Sequence, residues 1–208
     1  SWGVAVNSRI PDGLNRAIVS NERSVRALCA SSTITTGRLS RKGAVGPCMI
    51  RPMKIRIRDA VPDDLETIVG YNLALAHESE DKKLDTNTLR AGVGALLADP
   101  SKGRYFMAEA DGAVVGQTMI TFEWSDWRNG EFWWIQSVYV EKDARRQGVF
   151  RALYDHLQEL AYRDPEVCGI RLYVEQENTR AQRTYQRCGM ENTGYRVMEV
   201  DESGAVRR

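Results

Sequence analysis

Residues 135–150 constrain the fold of this chain most, because an alternating apolar segment leads into a basic loop that opens into a helical pattern. Val138 and Val140 alternate with their neighbours as in a strand, and apolar residues recur at helical spacing after the loop. A helix N-terminus presents unpaired backbone N–H groups and a positive dipole end, and Gly148 lets an anion approach the main chain. The stretch therefore predicts a phosphate-binding loop between a strand and a helix.

A second patterned stretch covers residues 178–190. Asn178 suits the N-cap of a helix, Tyr185 and Cys188 fall on one helical face, and Gly189 stands where that helix would end. The pattern predicts a short amphipathic helix. On spacing alone, Tyr185 is a core aromatic residue of that helix.

The predicted elements alternate between strands and helices. Asp111-Gly112 separates two alternating apolar runs, which is a strong signal for a β-hairpin. The expected order is a strand at 55–58, a helix ending near 76, a helix at 86–98, strands at 105–109, at 113–120 and from 132, a helix after the loop, a strand at 170–174, a helix at 178–188 and a last strand at 195–200. This order predicts a mixed α/β sheet.

Residues 1–52 differ in composition from the rest of the chain. They carry eight basic and two acidic side chains, are rich in Ser, Thr, Arg and Gly, and lack patterned apolar positions. We predict a disordered or dispensable extension over residues 1–52 and one domain over residues 53–208, beginning at Met53. Because Arg- and Ser-rich, acid-poor segments are also typical of organelle transit peptides, that interpretation stays open beside the plain extension.

Composition argues against several classes of function. A net charge of +1 disfavours a general nucleic-acid binder, and no apolar run approaches the roughly 18 to 20 residues that span a bilayer. The four cysteines form no Cys-x-x-Cys pair and have no His partner at zinc spacing, so neither a metal site nor a disulfide framework is indicated. We expect a cytoplasmic protein, or an organellar one if residues 1–52 are a transit peptide.

Both patterned stretches resemble motifs of the GNAT superfamily of acyl-CoA-dependent N-acetyltransferases. The spacing Arg145-x-x-Gly148-x, after a strand ending Val-Tyr-Val, is similar to its pyrophosphate loop, and residues 178–190 are similar to its Asn-x-x-Ala-x-x-x-Tyr-x-x-x-Gly-Phe segment. Phe150 departs from the usual small residue, and Met190 replaces the usual Phe. The resemblance covers residues 53–200 and implies a mixed, mostly antiparallel twisted sheet that splays at the acyl-CoA site, with flanking helices.

The resemblance also implies where acetyl-CoA binds as co-substrate, with no metal. The strand before the loop would hydrogen-bond the pantetheine amides, the Val138 amide would face the thioester carbonyl oxygen, and the loop would hold the diphosphate. The residues it assigns to acetyl-CoA are Val138, Tyr139, Val140, Arg145, Arg146, Gln147, Gly148, Val149, Phe150 and Asn178. Asn178 is equally well explained as a helix cap.

The resemblance makes Tyr185 the general acid, because a phenol with a pKa of about 10 can protonate a departing thiolate. An alkylammonium acceptor must lose a proton, so a general base or an ordered water is also needed. The strand position from which some family members project a glutamate is Trp134 here. Glu131 and Glu123 are the candidate bases, and a water relay is an equal alternative.

The expected reaction is acetyl transfer to a primary amine by direct attack in a ternary complex, by a monomer or homodimer. The acceptor is a small molecule or a protein lysine or N-terminus. Trp127 and its neighbouring tryptophans could line the acceptor pocket or simply pack, and residues 77–81 could form its other edge. The alternative to an enzyme is a non-catalytic acyl-CoA-binding sensor or docking module.

Overall fold

The computed structural model describes residues 53–200, so the predicted extension over residues 1–52 lies outside the described residues, as do residues 201–208. The helices of the described part are α1 (Leu65–Glu80), α2 (Thr86–Ala98), α3 (Val149–Arg163) and α4 (Thr179–Arg187). Its strands are β1 (Ile55–Asp59), β2 (Arg104–Ala110), β3 (Ala113–Ser125), β4 (Gly130–Val140) and β5 (Val167–Leu172). None of these helices is long and apolar enough to cross a membrane.

The strands form one open sheet in the order β1-β2-β3-β4-β5. The first four strands pair antiparallel, and β4 pairs parallel with β5. A parallel pair needs a crossover connection, and α3 supplies it between β4 and β5. The predicted mixed α/β fold, mostly antiparallel with flanking helices, is confirmed.

The β2–β3 connection is the tight turn that the Asp-Gly dipeptide predicts. Asp111 has φ 51° and Gly112 has φ 82°, so both central residues adopt the left-handed conformation that two-residue hairpin turns require. The next hairpin extends further than predicted, because β3 continues to Ser125 and β4 begins at Gly130. The tryptophan-rich turn therefore lies at the far end of a long ribbon.

Both faces of the sheet are covered by helices. On one face, Phe106 and Trp133 from the sheet pack with Leu153 of α3 in one buried cluster. On the other face, Ile68 of α1 and Val93 of α2 pack with strand residues that include Met107. The helices cover the centre of the sheet, and the free edge of β4 beyond residue 135 and the strand ends stay accessible.

The predicted last strand at residues 195–200 is wrong. These residues have no strand conformation, and Tyr195 and Met198 are 82% and 94% exposed. A strand is defined by backbone pairing with a neighbour, and no described segment pairs with this one or with the outer edge of β5. The alternation that suggested a strand therefore leaves apolar side chains at the surface.

Candidate active site

The loop between β4 and α3 has the backbone geometry of an anion site. After a short helical turn at Lys142–Ala144, Arg146 adopts φ 66° and Gly148 adopts φ 89°, and α3 begins at the next residue. A Cβ added at Gly148 would meet no protein atom nearer than Ile55 Cδ1, 4.0 Å away. Glycine is therefore needed here for its left-handed conformation and for open space, not for packing.

The main-chain donors of this loop are free. Within the described part of the chain, the backbone N–H groups of residues 146–150 have no hydrogen-bond acceptor. Val149 and Phe150 supply the first N–H groups of α3, where the positive end of the helix dipole also lies. These residues can hold a diphosphate through the main chain alone.

The two loop arginines have different environments. The Arg145 guanidinium turns towards α1, where its Nη2 donates to Glu78 Oε2 at 2.7 Å. Arg146 is exposed, and its side chain has no hydrogen-bond or ion-pair partner among residues 53–200. Only Arg146 is therefore free to add positive charge at the loop, whereas the sequence suggested that both would.

Phe150, the departure from the family pattern, does not block the loop. Its ring lies edge-on to Tyr185 with centroids 5.7 Å apart, and it stacks on Tyr154 at 6.1 Å. The ring therefore packs inward, between α3 and α4, and leaves the N-terminus of α3 open.

The free edge of β4 begins where β5 ends. Pairing between the two strands stops at Ile135 and Leu172, although β4 continues to Val140. At the same point the register of β4 against β3 shifts, because Ser137 faces Met119 and Ile135 faces Ile120, which leaves Gln136 as an extra bulged residue. Residues 136–140 therefore border a gap next to the phosphate loop, as the predicted splay requires.

The bulge sets the faces of the residues beside this gap. Val138 and Val140 pack on the cluster that contains α3. Tyr139 lies on the other face, against α1, with its ring centroid 4.9 Å from that of Tyr71. Ser137 shares that face by alternation. Gln136 is therefore the exposed residue on the α1 side of this edge, next to Ser137, whose Oγ is buried.

Tyr185 is half-buried on α4, and no described residue hydrogen-bonds its hydroxyl. Burial raises the pKa of Tyr185 above its ordinary value, and the nearby Cys188 adds to this shift. The phenol is therefore protonated at neutral pH. Asn178 caps α4, because its Oδ1 accepts from the Ala181 N–H at 3.0 Å.

The two candidate bases lie on opposite faces of the sheet. Glu123 accepts from the Trp134 indole N–H and from Arg171 Nη1, the latter at 3.0 Å. Glu131 shares the face of Trp133, on the α3 side. Five residues of β3 separate Glu123 from the partner of Val138, which is about 17 Å of strand. Neither carboxylate lies beside Val138, and Glu123 is on the face of the sheet opposite α3.

A buried polar network beneath α1 was not anticipated from the sequence. Asn72 Nδ2 donates to the Tyr105 hydroxyl at 3.1 Å, and Asn72 Oδ1 accepts from Gln117 Nε2 at 2.8 Å. Gln117 Oε1 and Ser137 Oγ are buried without a partner among the described residues. The signal that could have found it is Asn72 itself, a polar residue within the apolar stripe of α1 that includes Ile68.

The tryptophans of the long hairpin have different roles. Trp133 is buried in the core, and Trp134 stacks on Tyr173 with ring centroids 4.4 Å apart. Trp124 and Trp127 are 60% and 74% exposed, so packing does not account for either of them. The stacked pair of Trp134 and Tyr173 lies where β4 and β5 separate, on the face of the sheet that carries Glu123.

Comparison with known proteins agrees with this geometry. A family model described as the acetyltransferase (GNAT) family matches residues 68–190, which include the loop and the Tyr185 helix. A solved structure described as a possible acetyltransferase from Clostridium difficile 630 is 47% identical, covers 71% of this chain and 97% of its own, and superposes with a TM-score of 0.68. No curated protein matches this chain.

More distant solved structures share the fold. An aminoglycoside N-acetyltransferase, AAC(6')-Iy in complex with CoA, is 18% identical, covers 74% of this chain and 98% of its own, and has a TM-score of 0.60. A ribosomal-protein-alanine N-acetyltransferase from Brucella melitensis biovar Abortus 2308 is 16% identical, with coverages of 71% and 99% and a TM-score of 0.57. At these identities the likeness concerns the fold alone.

Proposed function

This chain belongs to the GNAT acetyltransferase family and is an acyltransferase, and we propose that it transfers the acetyl group of acetyl-CoA to a primary amine by direct attack in a ternary complex. The observation that carries the proposal is the free edge of β4 beyond the Ile135–Leu172 pair, leading into a loop of unpaired N–H groups. A cofactor that combines an amide-bearing arm with a diphosphate fits such an edge and loop.

In this proposal the main chain holds the cofactor. The N–H groups of residues 146–150 bind the diphosphate, and Gly148 gives it room. Val138, Tyr139 and Val140 bind the pantetheine amides as a neighbouring strand would. The Val138 N–H donates to the thioester carbonyl oxygen and stabilises the oxyanion that forms on attack, a role in which a single donor typically contributes about 10² to 10³ in rate.

Tyr185 supplies a proton to the leaving group. The amine nitrogen forms a bond to the carbonyl carbon, the oxyanion collapses, and the carbon–sulfur bond breaks with its electron pair on sulfur. The Tyr185 hydroxyl then protonates the thiolate, whose conjugate acid has a pKa of about 8.5, and solvent returns the proton to the phenolate. The absence of a partner for this hydroxyl among residues 53–200 supports the assignment.

Proton removal from the amine proceeds through water to Glu123. The support for this route is that Glu123 lies on the α1 side of the sheet, from which the acceptor approaches in this proposal, and accepts a hydrogen bond from the indole of Trp134, the residue at the position where some family members have a glutamate. The strand separation from Val138 requires at least one intervening water. Glu131, on the opposite face, has no route to the acceptor side.

The acceptor in this proposal is a primary amine, of either a small molecule or a protein. The edge of β4 lies next to the stacked rings of Trp134 and Tyr173. Arg171 already lies over the Trp134 ring, so the half-exposed Tyr173 ring is the one of the pair that can hold an alkylammonium over its outer face. The structurally similar proteins named above include one enzyme for an aminoglycoside and one for a protein alanine, so both classes belong in the test.

The test is the release of CoA thiol from acetyl-CoA across a panel of small amines and peptides, each with an enzyme-free control. We expect at least one amine to accelerate release, with the N-acetyl product detected by mass spectrometry. Tight acetyl-CoA binding with no acceleration by any amine would contradict the proposal and favour a non-catalytic acyl-CoA-binding module.

A further inference from the structure

Arg145 is held by α1 and by the end of β4, not by the phosphate loop that it belongs to. Its Nη2 donates to Glu78 Oε2 at 2.7 Å, and its Nε donates to the Val140 carbonyl at 2.9 Å. The guanidinium also lies over the Tyr139 ring, 5.6 Å from its centroid. The Nε and Nη2 groups of Arg145 therefore donate to groups outside the diphosphate site.

Glu78 is surrounded by donors from the β4–α3 connection. Besides Arg145, Lys142 Nζ lies 3.5 Å from Glu78 Oε1, and the Tyr139 hydroxyl donates to the same oxygen at 3.4 Å. Arg145 is the main cause that lowers the pKa of Glu78, with a smaller contribution from Lys142. The carboxylate is therefore charged at neutral pH, and a diphosphate would have to displace it to recruit Arg145.

A second link joins the same two elements. The Tyr71 hydroxyl lies 2.9 Å from Glu141 Oε1 and 2.9 Å from the Val114 carbonyl, and can donate to either. Tyr71 and Glu78 are seven residues apart, about two helical turns, so they lie on one face of α1. Glu141 and Arg145 likewise flank the short turn before the phosphate loop. Tyr71, Glu78, Tyr139, Glu141 and Arg145 are called the α1 latch below.

We propose that Arg145 and Glu78 are positioning residues that fasten the phosphate loop to α1 through the α1 latch, and that Arg146 supplies the charge contact to phosphate. The proposal rests on the proposed function for its ligand, acyl-CoA. When a bound diphosphate restricts the motion of the loop, the contacts of the α1 latch also restrict the motion of α1. This helix covers the acceptor side of β4 beside Tyr139. Cofactor binding thereby rigidifies one wall of the acceptor site.

The experiment measures CoA affinity and helix protection separately, with CoA as the probe. Calorimetric titration gives the affinity, and hydrogen exchange read by mass spectrometry gives the protection of residues 65–80 with and without saturating CoA. The variants are Arg145→Gln, Glu78→Gln and the matched control Arg146→Gln. Melting curves accompany each, and Glu78→Gln keeps the test decisive if Arg145→Gln does not fold.

We expect CoA to slow exchange in α1 of the wild type. Arg145→Gln and Glu78→Gln should each remove that slowing, while CoA affinity changes less than about threefold, as for loss of a partly exposed ion pair. Arg146→Gln should lower affinity about tenfold or more, as for loss of a hydrogen bond to a charged group, and keep the α1 protection at saturation.

Three other outcomes overturn the proposal. If Arg145→Gln loses as much affinity as Arg146→Gln and Glu78→Gln binds CoA more tightly, Arg145 is a phosphate ligand that Glu78 competes for. If CoA binds the wild type normally but leaves hydrogen exchange in α1 unchanged, the α1 latch does not couple cofactor binding to the rigidity of α1. A wild type that binds no CoA at all overturns both this proposal and the proposed function, which the first two outcomes leave intact.

Discussion

The two halves of β4 differ in how many neighbouring strands they pair with. Residues 131–135 pair on both sides, with β3 and β5, and carry large aromatic side chains such as Trp133. Residues 136–140 pair on one side only, begin with the bulged Gln136 and lead into the phosphate loop. The doubly paired half builds a rigid frame, and the half with a free edge has backbone groups available to a ligand.

Substitution of Gly148, in the loop that follows the free edge of β4, should have the largest effect on acetyl-CoA binding. Gly148→Val should nearly abolish acetyl-CoA binding, because a branched side chain strains φ 89° and occupies the space for the diphosphate. Calorimetric titration with acetyl-CoA is the measurement. Gly112→Val is the matched control, since Gly112 has φ 82° and no atom within 4 Å of an added Cβ, and it should bind normally. Wild-type affinity in a folded Gly148→Val protein would remove the loop from the site.

Substitution of Tyr185 tests whether the residues beside the phosphate loop take part in acetyl transfer as well as in acetyl-CoA binding. Tyr185→Phe keeps the ring against Phe150 but removes the hydroxyl, so single-turnover acetyl transfer should slow by about 10² to 10⁴. Acetyl-CoA affinity and the melting curve should stay unchanged. Tyr154→Phe, also beside Phe150, should retain wild-type rates. An unaltered rate for Tyr185→Phe would make Tyr185 a core aromatic residue.

Substitution of the two glutamates of the β3–β4 hairpin tests which face of the sheet carries the general base. Glu123→Gln should lower the rate by about 10², the lower end of the range for acid–base catalysis, because the proton travels through water. Glu131→Gln, on the α3 side, should leave the rate unchanged. The measurement is kcat/KM for the acceptor over a range of pH. Equal effects of the two substitutions would show that neither is the base.

Substitution of Trp127, in the exposed turn between β3 and β4, should have the smallest effect on the reaction. Trp127→Ala should change the amine KM by less than about twofold and leave acetyl-CoA affinity intact, because the turn lies at the far end of the hairpin from Val138, beyond the reach of a cation–π contact with the acceptor. Trp127 is 74% exposed, so the melting curve should not change. Trp124→Ala, on the face of Glu131, is the control with no expected effect on KM. Parallel loss of acetyl-CoA affinity would indicate a structural role for Trp127.

Local patterns were sufficient to predict most of the fold. The Asp111-Gly112 turn, the helix after Gly148 and the Asn178 cap each depend on residues close in sequence, and each is present. The strand at residues 195–200 failed because alternation describes one strand, whereas a strand exists only with a partner. The α1 latch was equally beyond the sequence, since Glu78 and Arg145 are 67 residues apart.

The sequence by itself determined most of the elements, the glycine turn before α3 and the family, because backbone preference, capping and helix dipoles act over a few residues. Only the tertiary structure decided which groups of the loop are free. In the folded chain, Arg145 contacts Glu78 of α1, whereas the Arg146 side chain has no partner among the described residues. Glu123 and Glu131 lie on opposite faces of the sheet. Those outcomes depend on which chain segments pack together, and a charge has no determined partner until distant segments have met.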